Sequence, residues 1–383
     1  MSKKHKVGIW TWSKDTNYGT ALQASAMQFI IEKFGYNAEL IDYVYDESER
    51  ILPYIGFRRK IQNRINYFIN EKNNPNITEE KLKSCFEDYR KSLFKYSKQC
   101  VSKDDLNSLN GEYDIFVCGS DQIWTINGFY SKNFLDWVID NNRIIAYAPS
   151  LGVSQVTDGW YIEKLKELLG RFKYLSVREK SGADIISNAL GRSPVVVLDP
   201  TLLLTKSEWV DYLKIEENES KNYLLAYFLG NNDFYLKQTY KLAKELGLPA
   251  VLIPVRKKDF QNTGNKEFID PKKFVELFLN ASYVCTDSFH GVAFAVNFNK
   301  NFCCFKRFKD VNKYNQNGRI VDFLTAVGLN ERIFDGNNIR DFEQNIEFGS
   351  VNDKLLQLRK ASSDYFKVSL ETVSNYIELE DQK

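Results

Sequence analysis

Histidine is scarce in this chain, and its scarcity limits the chemistry that the protein can perform. The 383 residues include two histidines and six cysteines, and no two cysteines are separated by two residues. Zinc sites use clusters of these residue types at short spacings, so the sequence predicts no zinc site. It predicts instead reduced, mostly buried thiols in a cytosolic protein.

Long apolar runs and an excess of one charge are also missing. No run of about 18 apolar residues occurs, so we expect no transmembrane helix. Residues 1–6 are polar and basic, but the apolar segment 7–12 is too short for the core of a signal peptide. The 52 basic and 50 acidic residues give a net charge of +2, which excludes the strong basic field typical of nucleic-acid-binding proteins.

The sequence does contain a repeated alternation of short β-branched or aromatic segments with polar loops and amphipathic segments. This alternation is typical of βα units around parallel sheets. It predicts strands at residues 6–12, 37–42, 114–118, 143–148, 174–177, 194–198, 223–229, 250–255, 282–286 and 301–305. It predicts helices at residues 20–34, 161–169, 233–246, 271–280, 289–297, 319–327 and 353–376. The predicted fold class is α/β, with two doubly wound Rossmann-like domains facing a cleft.

A polar, acidic stretch within residues 200–220 divides this pattern. We therefore predict an N-terminal domain at 1–205 and a C-terminal domain at 220–340. A C-terminal helix at 350–383 either packs on the second domain or crosses back to the first. Residues 46–110 are too long for a connecting loop, so they predict a helical insertion. Its basic residues, interleaved with apolar ones, fit an anionic membrane surface or a solvated helix packed on its own domain: Arg50, Arg58, Arg59, Lys60 and Arg64.

Loops after the predicted strands are the places to search for a site, because open parallel sheets bind ligands beyond the carboxyl ends of their strands. The first loop leads into a helix and contains Asn17, Tyr18 and Gly19. Glycine permits close approach to the backbone, and asparagine offers an amide; a helix-capping turn is the alternative. Neither a Gly-x-Gly-x-x-Gly motif nor a phosphate-binding P-loop occurs, which disfavours a nicotinamide enzyme or a kinase.

The second loop carries more polar groups than a helix cap requires. It follows the strand predicted at 114–118 and contains Ser120, Asp121, Gln122 and then Trp124. A third loop, at 147–152, is rich in small residues. The second loop is therefore a stronger candidate for ligand binding than the third.

Arg178 ends the strand predicted at 174–177, so its guanidinium is expected to point into the same crevice. Guanidinium groups bind carboxylates and phosphates through paired hydrogen bonds. The alternative is an ion pair with Glu179 or another acid. Asp199 and Pro200 indicate chiefly a structural turn and a helix start.

His290 follows the strand predicted at 282–286 and lies in the first turn of a helix that Asp287 or Ser288 would cap. Histidine exchanges protons near neutral pH more readily than other side chains, so this position suits acid–base chemistry. The next strand and helix start supply cations that could meet an anion beside it: Lys306, Arg307 and Arg319. The alternatives are a structural histidine and a solvated basic patch.

Six segments, in this order, resemble the polysaccharide pyruvyl transferase family. They are Asn17-Tyr18-Gly19 with Leu22-Gln23-Ala24, Gly119-Ser120-Asp121-Gln122-Ile123-Trp124, Tyr147-Ala148-Pro149-Ser150, Ser176-Val177-Arg178-Glu179, Leu198-Asp199-Pro200-Thr201 and Thr286-Asp287-Ser288-Phe289-His290-Gly291. The similarity extends from about residue 7 to residue 330.

This resemblance implies a GT-B-like fold and the transfer of pyruvate from phosphoenolpyruvate to two hydroxyls of a sugar. The product would be a cyclic ketal, with release of phosphate and without a metal or organic cofactor. By family analogy the acceptor is a polyprenyl-linked precursor of a capsule or exopolysaccharide, modified in the cytoplasm at the inner face of the membrane. Peripheral contact with that membrane is one of the two alternatives for the basic insertion, and the charge balance predicts no nucleic acid partner.

The resemblance also implies roles for the candidate residues. His290 and Arg178 would be catalytic, with His290 assisting proton transfer. The donor would be bound on the C-terminal side by Ser288, His290, Lys306, Arg307 and Arg319, and by Arg178 from across the cleft. The acceptor would be bound on the N-terminal side by Asn17, Tyr18, Gly19, Ser120, Asp121, Gln122 and Trp124. The alternatives are a nucleotide-sugar glycosyltransferase and a non-catalytic sugar- or phosphate-binding protein of the same fold.

Overall fold

The first half of the chain forms a six-stranded parallel sheet. The computed structural model describes residues 5–50, 77–156, 158–217, 222–256, 259–260, 268–308 and 316–383. The strands are β1 (Lys6–Trp10), β2 (Asn37–Leu40), β3 (Ile115–Cys118), β4 (Ile144–Ala146), β5 (Tyr174–Val177) and β6 (Val195–Val196), in the order β2-β1-β3-β4-β5-β6. Ile115–Cys118 is apolar and buried throughout, as expected of a central parallel strand covered on both faces.

The second half forms a five-stranded parallel sheet. Its strands are β7 (Leu224–Tyr227), β8 (Ala250–Leu252), β9 (Tyr283–Thr286), β10 (Asn301–Phe305) and β11 (Ile333–Phe334), in the order β11-β10-β9-β7-β8. Both sheets are doubly wound, with strand order reversing between β1 and β3 and between β7 and β9. The predicted α/β class, with two Rossmann-like sheets, is confirmed.

Helices alternate with these strands. They are α1 (Tyr18–Lys33), α2 (Ile77–Leu93), α3 (Lys103–Ser108), α4 (Gly159–Leu169), α5 (Lys180–Leu190), α6 (Pro200–Leu203), α7 (Lys206–Leu213), α8 (Asp233–Glu245), α9 (Pro271–Asn280), α10 (Phe289–Asn297), α11 (Gly318–Val327) and α12 (Phe348–Glu380). The predictions missed β11 and the helices at Lys180–Leu190 and Lys206–Leu213. The second of these helices begins with a Thr205–Glu208 capping box. This local signal lies inside the polar, acidic stretch that we interpret as the domain boundary.

The insertion predicted to be helical is only partly so. Within its described part, two helices, α2 and α3, are separated by a segment that runs alongside β2 and beyond it, with parallel bridges from Leu40 to Tyr96 and from Tyr43 to Cys100. A strand-like edge therefore joins the predicted helices. The basic residues at positions 58–64 lie outside the described residues.

The C-terminal helix α12 crosses back to the first half of the chain. Phe366 stacks on Tyr147 with ring centroids 4.2 Å apart, and Ser362 Oγ accepts a hydrogen bond from the Leu198 backbone N–H at 2.9 Å. On the other side, Tyr18 of α1 stacks on Phe274 of α9 at 4.7 Å. These contacts bind the two sheets into one packed body.

All six cysteines are free, and five of them are buried, as the sequence predicted. In the part of the chain that the structure describes, no helix has both the length and the apolar character needed to cross a membrane.

Candidate active site

The loops that leave the two sheets at their points of strand reversal meet between the two halves of the chain. In the first sheet these loops follow β1 and β3, and in the second they follow β7 and β9. Ligands of doubly wound sheets bind at such points, beyond the carboxyl ends of the strands. The fold therefore brings the predicted loops of both halves to one crevice.

His290 crosses this crevice from the second half to the first. Ser288 caps α10, its Oγ accepting a hydrogen bond from the Gly291 N–H, and this places His290 in the first turn. The imidazole lies directly against Gly19, where an added Cβ would be 2.0 Å from Nδ1. Gly19 is therefore needed because any larger residue would occupy the space of the imidazole.

Asp199 is the partner of His290, and the sequence analysis missed this role. Its Oδ2 lies 3.7 Å from His290 Nε2 and accepts a hydrogen bond from Ser120 Oγ at 3.2 Å. Its Oδ1 accepts from the backbone N–H of Thr201, so Asp199 also caps α6, as predicted. Burial by itself raises the pKa of Asp199, but His290, Arg178 and the Thr201 N–H together hold it well below its usual range. Asp199 is therefore a buried carboxylate.

Arg178 reaches the crevice as predicted. It also pairs with acidic residues of the protein, which was the alternative to binding a ligand anion. Its Nη1 donates a hydrogen bond to Asp199 Oδ2 at 2.7 Å, while Nη2 lies 3.6 Å from Asp121 Oδ1. Glu179 is more distant, with 3.9 Å between Nε and Oε2. The guanidinium carbon lies 4.7 Å from the centre of the Phe289 ring. Among the described residues, neither Nε nor Nη2 of Arg178 has a hydrogen-bond acceptor.

Arg319 adds a buried positive charge whose hydrogen bonds go to neutral amides. With its oxygen turned towards Arg319, the Gln122 amide accepts from both terminal nitrogens, at 2.8 and 2.7 Å. Gln316 Oε1 accepts from Arg319 and from Arg307, at 3.2 and 3.0 Å. Burial lowers the pKa of Arg319 to about 9, and the nearby charge of Arg178 contributes to this lowering. A bound anion would stabilise this cluster of cations.

Most of the residues predicted to bind the acceptor sugar are buried or hydrogen-bonded within the protein. Asn17 caps α1, and Tyr18 donates its hydroxyl hydrogen to the Ile269 carbonyl. Ser120 has no exposed surface, and Trp124 is fully buried, with its indole N–H donated to the Asn133 carbonyl. Tyr18 and Trp124 are therefore core residues in this structure and offer no surface to a sugar. Trp124 stacks on Phe134, so the aromatic residues downstream of the loop were the signal for its burial.

Asp121 and Gln122 do face the crevice. The Asp121 carboxylate accepts a hydrogen bond from Thr20 Oγ1 at 2.7 Å. Burial raises its pKa, but Arg178 and His290 outweigh this effect and keep the pKa below its usual value. The second predicted loop thus contributes an anionic group and an amide to the arginine cluster.

A Gly19→Ala variant tests the contact between the two halves. The new methyl group would occupy the position of the imidazole, so His290 or α1 must move. We expect turnover to fall by about tenfold to 10²-fold, since small misplacements of reacting groups have effects of this size. Gly159→Ala is the matched control, because an added Cβ there meets no atom within 4 Å. Steady-state rates that are equal in the two variants would refute the placement of His290 against Gly19.

The fold and the site together describe a two-lobed α/β protein with a histidine, a buried aspartate and an arginine cluster between its lobes. The sequence matches the family described as polysaccharide pyruvyl transferase over residues 17–307. The chain belongs to this family. No curated protein matches the sequence.

Several solved structures align along nearly the whole chain. A UDP-GlcNAc 2-epimerase from Neisseria meningitidis aligns with a TM-score of 0.48 and 10% identity, covering 97% of this chain and 99% of that chain. The UDP-GlcNAc 2-epimerase from Methanocaldococcus jannaschii aligns with a TM-score of 0.47 and 13% identity, covering 94% and 92%. The glycosyltransferase SnogD from Streptomyces nogalater aligns with a TM-score of 0.42 and 10% identity, covering 98% and 100%.

Proposed function

We propose that this protein transfers pyruvate from phosphoenolpyruvate to two hydroxyls of a sugar, forming a cyclic ketal and releasing phosphate. Family membership supports a transferase of polysaccharide biosynthesis. The observation that carries the proposal is the position of His290, which lies 3.7 Å from the buried carboxylate of Asp199, the same carboxylate that Arg178 of the opposite lobe binds. No metal or organic cofactor is part of the proposed reaction.

The reaction needs a proton, a base and a place for two anionic groups. One sugar hydroxyl attacks C2 of phosphoenolpyruvate and gives up its proton to a base, while the methylene carbon C3 takes up a proton to become a methyl group. The bond from C2 to the phosphate oxygen then breaks, and inorganic phosphate leaves with the electron pair. The second hydroxyl attacks C2 and loses its proton, which closes the ring.

His290 is the group that we assign to these proton transfers. Asp199 would hold the imidazole in position and stabilise the positive charge that it gains, as a buried carboxylate does beside a catalytic histidine. Asp121, with its lowered pKa, adds negative charge to the same crevice. General acid–base help of this kind needs the donor within reach of the reacting carbon, so the proposal puts phosphoenolpyruvate beside His290 and Arg178.

The donor anions are assigned to Arg178 and Arg319. The Nε and Nη2 groups of Arg178 are two adjacent donors, which suits a carboxylate or a phosphate. Arg319 contributes a charge that amides rather than carboxylates hydrogen-bond. Lys306 and Arg307 directly follow β10 and line the wall of a cavity of about 590 Å³.

An Arg319→Ala variant should bind phosphoenolpyruvate about tenfold to 10²-fold more weakly, because a hydrogen bond to a charged group contributes about 1.5–3 kcal/mol. Its thermal stability should change little, since the buried charge is poorly compensated in the free protein. Titration calorimetry and thermal melting check the two parts. Unchanged affinity in a folded variant would remove Arg319 from the donor site.

Release of the leaving group distinguishes this function from the glycosyltransferase alternative. The protein is incubated with candidate saccharides and either phosphoenolpyruvate or a uridine-diphosphate sugar. We expect inorganic phosphate from the first mixture and no nucleotide from the second. Nucleotide release alone would establish the alternative, and no release with either donor would favour a binding protein.

We further propose that the natural acceptor is a polyprenyl-linked precursor of a capsule or exopolysaccharide, modified at the cytoplasmic face of the membrane. Family membership and the free, mostly buried cysteines support this setting. Extracted lipid-linked oligosaccharides should gain the mass of one pyruvate ketal when phosphoenolpyruvate is present. Modification of released polymer alone would contradict the lipid-linked acceptor.

A further inference from the structure

A cavity of about 590 Å³ opens beyond the carboxyl ends of β7 and β10. Its size lies within the range of roughly 300–1,000 Å³ that is typical of small-molecule sites. Phosphoenolpyruvate, a phosphorylated three-carbon acid, would fill a small part of it. The cavity therefore has room for a second and larger ligand.

Most of the N-terminal residues that the sequence predicted to bind the acceptor offer little exposed surface. Ser120 and Trp124 have no exposed surface, and Tyr18 is packed between the lobes with its hydroxyl bonded to the Ile269 carbonyl. The neighbouring Asp121 is turned towards Arg178 and Thr20. A saccharide of more than one ring would need these groups to leave the positions that stabilise the fold.

The walls of the C-terminal cavity combine aromatic faces with amides. Phe234, at the start of α8, is 47% exposed and lies 6.4 Å from the ring of Phe334. Tyr235, Phe308, Asn231 and Asn232 also line the space, and the Asn232 side-chain oxygen caps α8 by accepting from the Phe234 N–H. An aromatic face flanked by amides suits a sugar ring, which has an apolar face of C–H groups and an edge of hydroxyls.

The carboxylates that line the cavity already accept hydrogen bonds from the protein itself. Asp287 accepts hydrogen bonds from the backbone N–H groups of Leu229 and Gly230, at 2.7 and 2.8 Å. Asp335 accepts from the backbone and the side chain of Asn337. These carboxylates shape the cavity, so a ligand would meet its aromatic rings, its amides and the two cationic residues Lys306 and Arg307.

The cavity borders the candidate active site. Arg307 lines the cavity and shares Gln316 with Arg319, while Asp287 lines it three residues before His290. Arg307 therefore connects the wall of the cavity to the arginine cluster beside His290.

We propose that this C-terminal cavity, and not the N-terminal loops, binds the acceptor saccharide, with Phe234 packing against a sugar ring next to the one that receives the ketal. The assignment rests on the proposed function, and it reverses the sides that the sequence predicted for the acceptor. Phosphoenolpyruvate would then lie between Arg178, Arg319 and His290, at the boundary of the two lobes.

A binding experiment tests this assignment without requiring turnover. Saturation-transfer NMR is performed with the methyl glycosides of glucose, galactose, mannose and N-acetylglucosamine, on the wild type, Phe234→Ala and Tyr240→Ala. Tyr240 is the matched control, because it lies on the same helix, is also 47% exposed and does not line the cavity. At least one glycoside should bind the wild type and Tyr240→Ala, and bind Phe234→Ala about three- to tenfold more weakly, the effect expected from losing one aromatic contact.

The possible results separate this inference from the proposed function. Equal binding by the two variants, or no binding of any glycoside, would overturn the inference. Binding of uridine diphosphate that depends on Phe234, without binding of a glycoside, would also overturn it and assign the cavity to a nucleotide. Phosphate release from phosphoenolpyruvate could still occur in these cases. The proposed function would then stand, and the acceptor would be assigned to another site.

Discussion

Replacing His290 by asparagine should lower the rate of pyruvyl transfer by about 10²- to 10⁴-fold, the usual contribution of a general acid–base group. Asparagine keeps a polar side chain of similar size but does not exchange protons near neutral pH. Because Nε2 of His290 has no hydrogen-bond partner among the described residues, the substitution breaks no hydrogen bond of that atom. The imidazole does help to keep Asp199 charged, so the thermal midpoint should fall modestly while the variant stays folded.

The other histidine of the chain provides the control. His5 lies near Asp114 and Glu378, at 3.7 and 3.6 Å, well away from the crevice. His5→Asn should turn over at the wild-type rate. A folded His290→Asn variant with full activity would remove His290 from the mechanism, whatever the result with His5.

Arg178→Ala should have a large effect on stability as well as on donor binding. The side chains of Arg178 and Asp199 are 1% and 0% exposed, so the variant leaves a buried carboxylate without its closest cation. Breaking a buried ion pair in this way costs about 3–5 kcal/mol. Chemical denaturation should reveal this loss, and calorimetry should detect weaker binding of phosphoenolpyruvate in whatever protein remains folded.

The pH dependence of that loss gives a second test. Burial alone would raise the pKa of Asp199. The opposite effect of His290 and Arg178 is larger and holds this pKa well below its usual range. In the wild type its stabilising contribution is complete above the pKa of the unfolded chain and is lost only as the pH falls towards the folded value. Without Arg178 the pKa rises, so protonation relieves the buried charge earlier. The stability difference between the two proteins should shrink as the pH falls towards the usual pKa of an aspartic acid, about 4.

Arg340→Ala is the matched control for this experiment. Arg340 pairs with Glu245 on the surface, and the arginine side chain is 57% exposed. Exposed pairs contribute little, so this variant should unfold at nearly the same denaturant concentration as the wild type. An equal loss in both arginine variants would mean that the buried network around Asp199 has no special role.

The sequence predicted the fold well because each βα unit carries its own periodicity. The segment at residues 282–297 is one example, where an apolar strand, a polar cap and an apolar helix follow one another. Helix α5 was missed because Gly182 and its short length weaken the helical pattern at Lys180–Leu190. The return of α12 to the first lobe depends on packing between distant residues, such as Phe366 and Tyr147, that no local pattern encodes.

The candidate site was predictable where function follows from position on a strand or helix. Arg178 and His290 reach the crevice because each comes just after a parallel strand. Asp199 was assigned only to a turn, since its capping role is local while its approach to His290 joins residues that are far apart in the sequence. Trp124 was predicted to bind the acceptor because it follows a polar loop. Its indole instead folds back into the core and stacks on Phe134.

The most direct test of the central claim is the reaction of phosphoenolpyruvate and an acceptor saccharide in deuterated water, followed by mass spectrometry and NMR of the product. The account predicts that the acceptor gains a pyruvate ketal whose methyl group carries one deuterium, because C3 takes up a proton that exchanges with solvent. His5→Asn should form this product at the wild-type rate, and His290→Asn should form it far more slowly. An acceptor without the ketal, or a ketal whose methyl group holds no deuterium, would contradict the account.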